Sequence, residues 1–452
     1  MDKNTFIKLL FERAKQAGFT DCEVYISAGD EFEVNIFKGE ILQYTSAASE
    51  GLGFRGLYNG KMGVSSTEVY DEESIDQLIE NALEAAKLIE NEDEQFIYAG
   101  DKEYPTVQLY SEELEQVTAA QKIALAKEIE KAVYAQSDKV VQTEAAEVVT
   151  MNASCRIVNT KGLDVSYRSN TAAAYAVPVV MDEGKASSGM GIKSGQDFEK
   201  LASQKDEMAA EAVKEALDFL HAESVPSGEY AVLLRNDAAG SVLRTFSGIF
   251  NAENAQKGLS LLKGREGETI AAPCLSIIDD PLRDGSLASS PFDDEGVATY
   301  TKSIVENGVL KTLLHNLKTA NKQGVKSTGN ASRAGYSAPV GVSPSNFYIQ
   351  PGERTMEEMA AAIGEGLLIT SLQGLHAGAN GISGDFSLGA KGYRIEGGKI
   401  GAPVEQITVA GNFFKVLENI VEVGSDLRFG MPGGTVMGAP SLWIKSLAVA
   451  GK

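Results

Sequence analysis

The sequence predicts an α+β protein, with an N-terminal α/β half of antiparallel sheets and long helices joined to a β-rich, mostly antiparallel C-terminal half. Three observations point there. Alternating polar and apolar runs end in Asn59-Gly60, Lys161-Gly162, Glu183-Gly184 and Asn307-Gly308, residue pairs that suit tight hairpin turns. Long helical periodicities are concentrated before residue 223. Beyond "ESVPSGEY" (223–230) glycine becomes more frequent and strand-like runs dominate, so this Pro/Ser/Gly segment is the expected boundary between domains 1–223 and 228–452. The first domain is open to a further split near 100–115.

In chain order, "MDKNTFIKLLFERAKQAGF" reads as an amphipathic helix with Phe6, Leu9, Leu10 and Ala14 on one face. It lacks the apolar block and small-residue cleavage site of a secretory signal, so a cytoplasmic location is expected. Residues 21–46 alternate as strands, with turn signals at Ala28-Gly29-Asp30 and Lys38-Gly39-Glu40, and 51–67 continue as a hairpin. A helix from about Asp71 to Glu90 places Ile75, Leu78, Ile79, Ala82 and Ala86 together. Thr118 with Gln121 forms a capping box that opens the next helix. A β-meander over 144–194 and a helix over 197–222 complete the first half. In the second half a helix begins near Asp237, and Thr355 with Glu358 caps another.

At 452 residues the chain is too long for one ordinary core. Its 43% hydrophobic and 23% charged residues are ordinary for a folded globular protein. No apolar run approaches the ~18 residues of a membrane helix. A net charge of -22 opposes direct nucleic-acid binding, which needs a basic footprint. Cys22, Cys155 and Cys274 are too far apart for a disulfide framework or thiolate metal site and are expected to be buried structural thiols.

"GLGFRG" (51–56) matches the dinucleotide pattern, but a hairpin follows it, so no helix N-terminus would meet a phosphate. The acidic loops "IIDDPLRDG" and "SSPFDDEG" gather Asp279, Asp280, Asp284, Asp293, Asp294 and Glu295; solvated turns are the expected reading, with a hard-cation site as the alternative. His221, His315 and His376 are too dispersed for a helical zinc motif, and no G-x-S-x-G elbow is present. His221 is expected beside a helix C-terminus and His315 at a strand end, while His376 lies among glycines that could expose its ring.

The blocks "GLGFRGLYNGKMGVSST", "NTKGLDVSYRSN", "SLASSPFDDEGVAT", "VENGVLKTLLHN", "KSTGNASR" and "SGDFSLGAKGYRIEGGKIGAPVEQITVAGN", taken in order, resemble the TldD/PmbA family over nearly the whole chain. The resemblance implies a two-part subunit with a barrel-like C-terminal sheet, paired into a dimer around an internal chamber. It also implies one partner, TldD-type, that is a zinc peptidase acting on unfolded or short peptides. That partner carries His-Glu-x-x-x-His on the first helix of its C-terminal half and a cysteine near its end.

Aligning Gly248 with the family's glycine places Arg244, Thr245 and Ile249 where those ligands would stand. "RFGMPGGTVMGAPSLWIKSL" (428–447) supplies no cysteine. The chain therefore resembles the PmbA or TldE half, with no catalytic residue or metal ligand of its own, and with zinc expected only in a TldD-type partner. Its own partner is expected to be that subunit or a second copy. His376, Asn380, Asp385 and Ser387 are the expected chamber or peptide contacts, and the glycines at 384, 389 and 392 are expected at bends or close approaches. Two rivals remain. One is a homodimeric peptide- or protein-binding regulator of gyrase or a toxin–antitoxin pair. The other is an enzyme with a metal on Asp293, Asp294, Glu295 and His376.

Overall fold

Two long strands, Cys22–Phe37 and Val140–Asn159, lie side by side and set the layout of the N-terminal half. The computed structural model describes residues 1–90 and 94–452. In the first sheet the order is Lys61–Thr67, Glu40–Tyr58, Cys22–Phe37, Val140–Asn159 and Asp164–Asp182, with Lys185–Ser188 and Gly191–Gly195 both on the last strand. Every pairing in it is antiparallel.

Strand alternation sorts the side chains. On one face Val24, Ile26, Leu52 and Phe54 meet Phe6, Leu10, Ile75 and Leu78 of helices Lys3–Gln16 and Glu72–Lys87. Further along the same face Phe32, Val34 and Ile36 meet Leu125, Ile129 and Val133 of Ala119–Gln136 and Met208, Ala212 and Val213 of Lys205–Phe219. Two apolar cores thus sit on one unbroken sheet. The capping box of Thr118 and Gln121 forms as the spacing requires. The helix expected over 197–222 is two helices, Phe198–Ser203 and Lys205–Phe219, meeting at Gln204.

The turn expected at Ala28-Gly29-Asp30 does not form, because the strand runs straight through it, paired on both sides. Gly29 instead permits close packing, since a Cβ there would lie 3.1 Å from the Asn152 carbonyl. The turn at Lys38-Gly39 does form, and both of its N–H groups donate to the buried carboxylate of Glu130, at 2.6 and 2.8 Å.

The C-terminal half holds a closed five-stranded barrel: Gly228–Leu234, Gly366–Gln373, Asp385–Glu396, Lys399–Asn412 and Leu442–Ala450. Closure comes from pairing of Thr408–Ala410 with Ala448–Ala450. Gly392 is required here, since a Cβ would lie 1.8 Å from the Leu368 carbonyl. Gly384 has a positive φ of 83°, whereas Gly389 meets only ordinary contacts, so the close-approach expectation fails at that position. A second sheet, built around Ile277–Asp279, Lys302–Glu306, Asn346–Ile349 and Val436–Ala439, shares one continuous core with the barrel.

The face of the first sheet opposite its helices receives the C-terminal half. Tyr25, Cys155 and Ile157 pack against Phe292, with Tyr336 alongside. Two of the three "GLGFRG" glycines are explained by this docking: a Cβ on Gly51 would lie 2.4 Å from the Tyr336 ring, and one on Gly53 would lie 2.1 Å from the Tyr336 carbonyl, whereas one on Gly56 would lie 2.6 Å from the Phe19 ring of its own half.

Candidate functional site

The helix Asn236–Phe246 leaves the first barrel strand and lies between the barrel and the second sheet. Its apolar face, Ala238, Ala239, Val242, Leu243 and Phe246, is buried, and Phe246 stacks on Phe413 with ring centroids 4.6 Å apart. The α-helix ends at Phe246, and a 3-10 turn over Ser247–Phe250 follows. Arg244 is exposed, with no ion pair among the described residues. Thr245 Oγ1 donates to the Ser241 carbonyl at 2.8 Å, which ties its hydroxyl to its own helix. Ile249 is fully buried in the core. Arg244 and Ile249 therefore face opposite environments.

The loop before strand Asp385–Glu396 is organised by its own polar groups. Asn380 Oδ1 accepts from the N–H groups of Ile382 and Ser383, at 2.9 and 3.1 Å. Asp385 accepts from Ser383 Oγ and Asn412 Nδ2, both at 2.8 Å, and these hydrogen bonds hold its carboxyl below the usual range. Asn380 and Asp385 thus shape the loop. His376 is exposed on the loop and Ser387 on the strand that follows it. The metal set of Asp293, Asp294, Glu295 and His376 is not assembled among the described residues. Among the described residues no three His, Cys, Asp or Glu side chains form a metal-holding group.

The acidic loops depart furthest from expectation. Asp279, Asp293 and Glu295 are buried rather than solvated, because the first two are absorbed into the second half's own polar core and the third into the junction between halves. Asp279 accepts from Lys302 Nζ and Asn330 Nδ2, both at 2.8 Å, and from Ser345 N at 2.7 Å. Asp293 accepts from the N–H groups of Glu295, Val297 and Ala331.

At the junction, Arg55 Nη1 donates to Glu295 Oε1 at 3.1 Å and Arg55 Nε to Glu23 Oε1 at 2.6 Å. Arg333 Nη2 also reaches Glu23 Oε1, at 3.1 Å, while Tyr25 Oη donates to Asp294 Oδ1 at 3.1 Å. Burial, together with the like charge of Glu295, pushes the Asp293 carboxyl up to about 8. Burial raises Asp294 as well.

Of the other singled-out residues, His315 is buried, with Nδ1 3.2 Å from Thr319 Oγ1, and burial lowers its pKa. His221 lies past its helix and contacts Asp182 at 3.3 Å. Cys22 and Cys155 are buried; Cys274 is exposed, contrary to expectation, because it lies beside the strand carbonyls of Ile420 and Val421 at the surface.

Three models of one family match in sequence: PmbA/TldA metallopeptidase domain 1 over residues 22–86, the central domain over 112–220 and the C-terminal domain over 227–451. A metalloprotease of Methanothermobacter thermautotrophicus is 31% identical over 405 residues, covering 87% of this chain and 85% of that one.

The chain belongs to the PmbA/TldD family.

Within this family, the crystal structure of a proposed modulator of a DNA gyrase from Thermotoga maritima superposes with a TM-score of 0.90 at 36% identity, covering 99% of this chain and 100% of that one. TldE from Thermococcus kodakarensis superposes with a TM-score of 0.88 at 22% identity over 99% of this chain and all of that one, a likeness of fold alone. The PmbA/TldD zinc motif does not fit here. A guanidinium carries no lone pair for a metal, a hydrocarbon has no donor, and the Thr245 hydroxyl is already committed to Ser241. Sequence reasoning missed the Glu23, Arg55, Glu295 and Arg333 junction. The strand-adjacent pair Glu23 and Arg55 was its only local signal.

Proposed function

We propose that this chain is the PmbA/TldE-like, non-catalytic subunit of a cytoplasmic zinc-dependent peptidase system that acts on unfolded or short peptides. One observation carries the reading. The helix on which the family resemblance places the zinc ligands presents Arg244, Thr245 and Ile249, and these side chains cannot form a zinc site that keeps an open position for water. Related chains called metalloproteases support membership of the peptidase system, and the lack of donors on this helix supports a reading in which the metal belongs to a TldD-type partner. No described helix is long and apolar enough to cross a membrane.

In this role the chain completes a chamber and holds extended peptide, for which strand edges are suited because main-chain hydrogen bonds recognise a backbone irrespective of its side chains. His376 and Ser387 are proposed as exposed contacts beside it. The test is to purify the chain, add a TldD-type partner, and measure zinc content and peptide hydrolysis of each component and of the mixture. Hydrolysis is expected only in the mixture, with zinc in the partner. Zinc-dependent cleavage by this chain alone, or a mixture no more active than the partner, would overturn the proposal.

A further inference from the structure

We infer that the unpaired edge of strand Glu40–Tyr58, from Glu40 to Glu50, takes an extended peptide bearing lysine or arginine as an added β-strand. The inference rests on the peptide-binding reading above and names its substrate class.

The edge is open by register. Residues 40–56 pair with Cys22–Phe37 on one side, but Lys61–Thr67 covers the other side only from Leu52 to Tyr58. Between Glu40 and Gly51 one row of backbone N–H and C=O groups is therefore unpaired among the described residues. Proteins ordinarily blunt such an edge with proline, lysine or a bulge. "EILQYTSAASE" (40–50) carries one bulge, at Leu42, so the regular open edge begins at Gln43; it contains neither proline nor lysine, and it leaves Ile41, Leu42 and Tyr44 at 46%, 62% and 52% exposure.

Charge decides the occupant. On the face away from the helices, Thr45 stands opposite Glu33 and Ala47 opposite Glu31; Asn35 stands opposite Glu147 on the next strand. Among the described residues none of these three glutamates has a cationic partner, and burial together with Glu33 and Glu31 raises the Glu147 carboxyl. An added strand would lie ~4.8 Å beyond the edge strand. The short side chains of Thr45 and Ala47 leave room for a long basic side chain to cross to Glu33 and Glu31. A second copy of this chain fits less well, because antiparallel self-pairing would bring Glu40 and Glu50 together. The net charge of -22 adds long-range attraction for a cationic chain.

The test is fluorescence anisotropy of the full chain with short labelled peptides alternating Val or Thr with Lys, Gln or Glu. The Lys peptide is expected to bind tightest and the Glu peptide weakest. Glu31→Gln with Glu33→Gln is expected to weaken the Lys peptide by about fivefold to tenfold, the size of two exposed ion pairs. Thr45→Lys with Ala47→Lys, both substitutions on the open edge strand, is expected to abolish its binding. Equal binding of all three peptides, unchanged in both variants, would overturn this inference and leave the peptide-binding reading standing. No binding of any peptide would overturn both.

Discussion

Glu23 and Arg55 stand directly opposite each other on neighbouring strands, 2.6 Å apart, and both are buried by residues of the other half of the molecule. A cross-strand ion pair of this kind would be a minor surface feature on an isolated sheet. Here Arg333 and Glu295 extend it across the junction into a buried network that joins the two halves, in which Glu23 Oε2, Arg55 Nη2 and Arg333 Nε still lack a hydrogen-bond partner.

Replacing Glu23 by Gln should therefore leave two guanidiniums undercompensated in the interior and cost about 3–5 kcal/mol. Urea denaturation followed by the single Trp443 would measure the loss. Replacing Arg55 by Met should cost a similar amount, and the double variant should cost less than the sum of the two. Simple additivity would mean that the two side chains are not coupled.

Stability should fall as the solution becomes more alkaline. Asp293 is raised from an ordinary carboxylate value of ~3.9 in the unfolded chain, so its folded form binds a proton more tightly. The resulting stabilisation is complete below the unfolded value and is lost as pH rises through about 8. Asp294 acts in the same direction. The denaturation midpoint should decline steadily between about pH 5 and pH 8.5, and Asp293→Asn should flatten that slope. An identical slope in the variant would assign the effect elsewhere.

Gly53→Ala should loosen the junction. Its Cβ would fall 2.1 Å from the Tyr336 carbonyl, a backbone atom that cannot swing aside like a side-chain tip. A loss of about 1–3 kcal/mol is expected, with faster amide exchange around 333–336. Gly60→Ala makes a useful contrast, since it meets no atom within 4 Å and strains only its turn.

Installing the missing ligands should fail to create a zinc site. In Arg244→His, Thr245→Glu, Ile249→His, the last histidine would replace a fully buried core side chain. Burying an imidazole there without a partner should destabilise the fold by about 1–3 kcal/mol. Metal analysis after dialysis against zinc should find no stoichiometric ion. A tightly bound ion would mean that the 3-10 turn rearranges readily.

The elements that were legible in the sequence are those whose causes are local. The Lys38-Gly39 turn, the Thr118 capping box and the apolar faces of the long helices depend on residues within a few positions of one another. The start of the helix near Asp237 was legible for the same reason, and its lack of zinc donors can be read from residue types alone, but the single helix expected over 237–254 ends at Phe246 and gives way to a 3-10 turn and a short helix, Ala252–Gln256. Gly29 was misleading because glycine marks both turns and close strand packing, and only the neighbouring strand distinguishes them.

What the sequence determined by itself was the α+β class, the antiparallel first half and strand-rich second half, and the chemistry that the zinc-motif helix cannot perform. Tertiary structure alone decided the fate of the charges. Arg55 meets Glu295 across 240 positions and Arg333 meets Glu23 across 310, and no periodicity reports such a meeting. The physical reason is that a carboxylate's environment is set by what covers it. Sequences that look like solvated turns become buried acceptors once another part of the chain supplies the guanidinium, the backbone N–H and the exclusion of water.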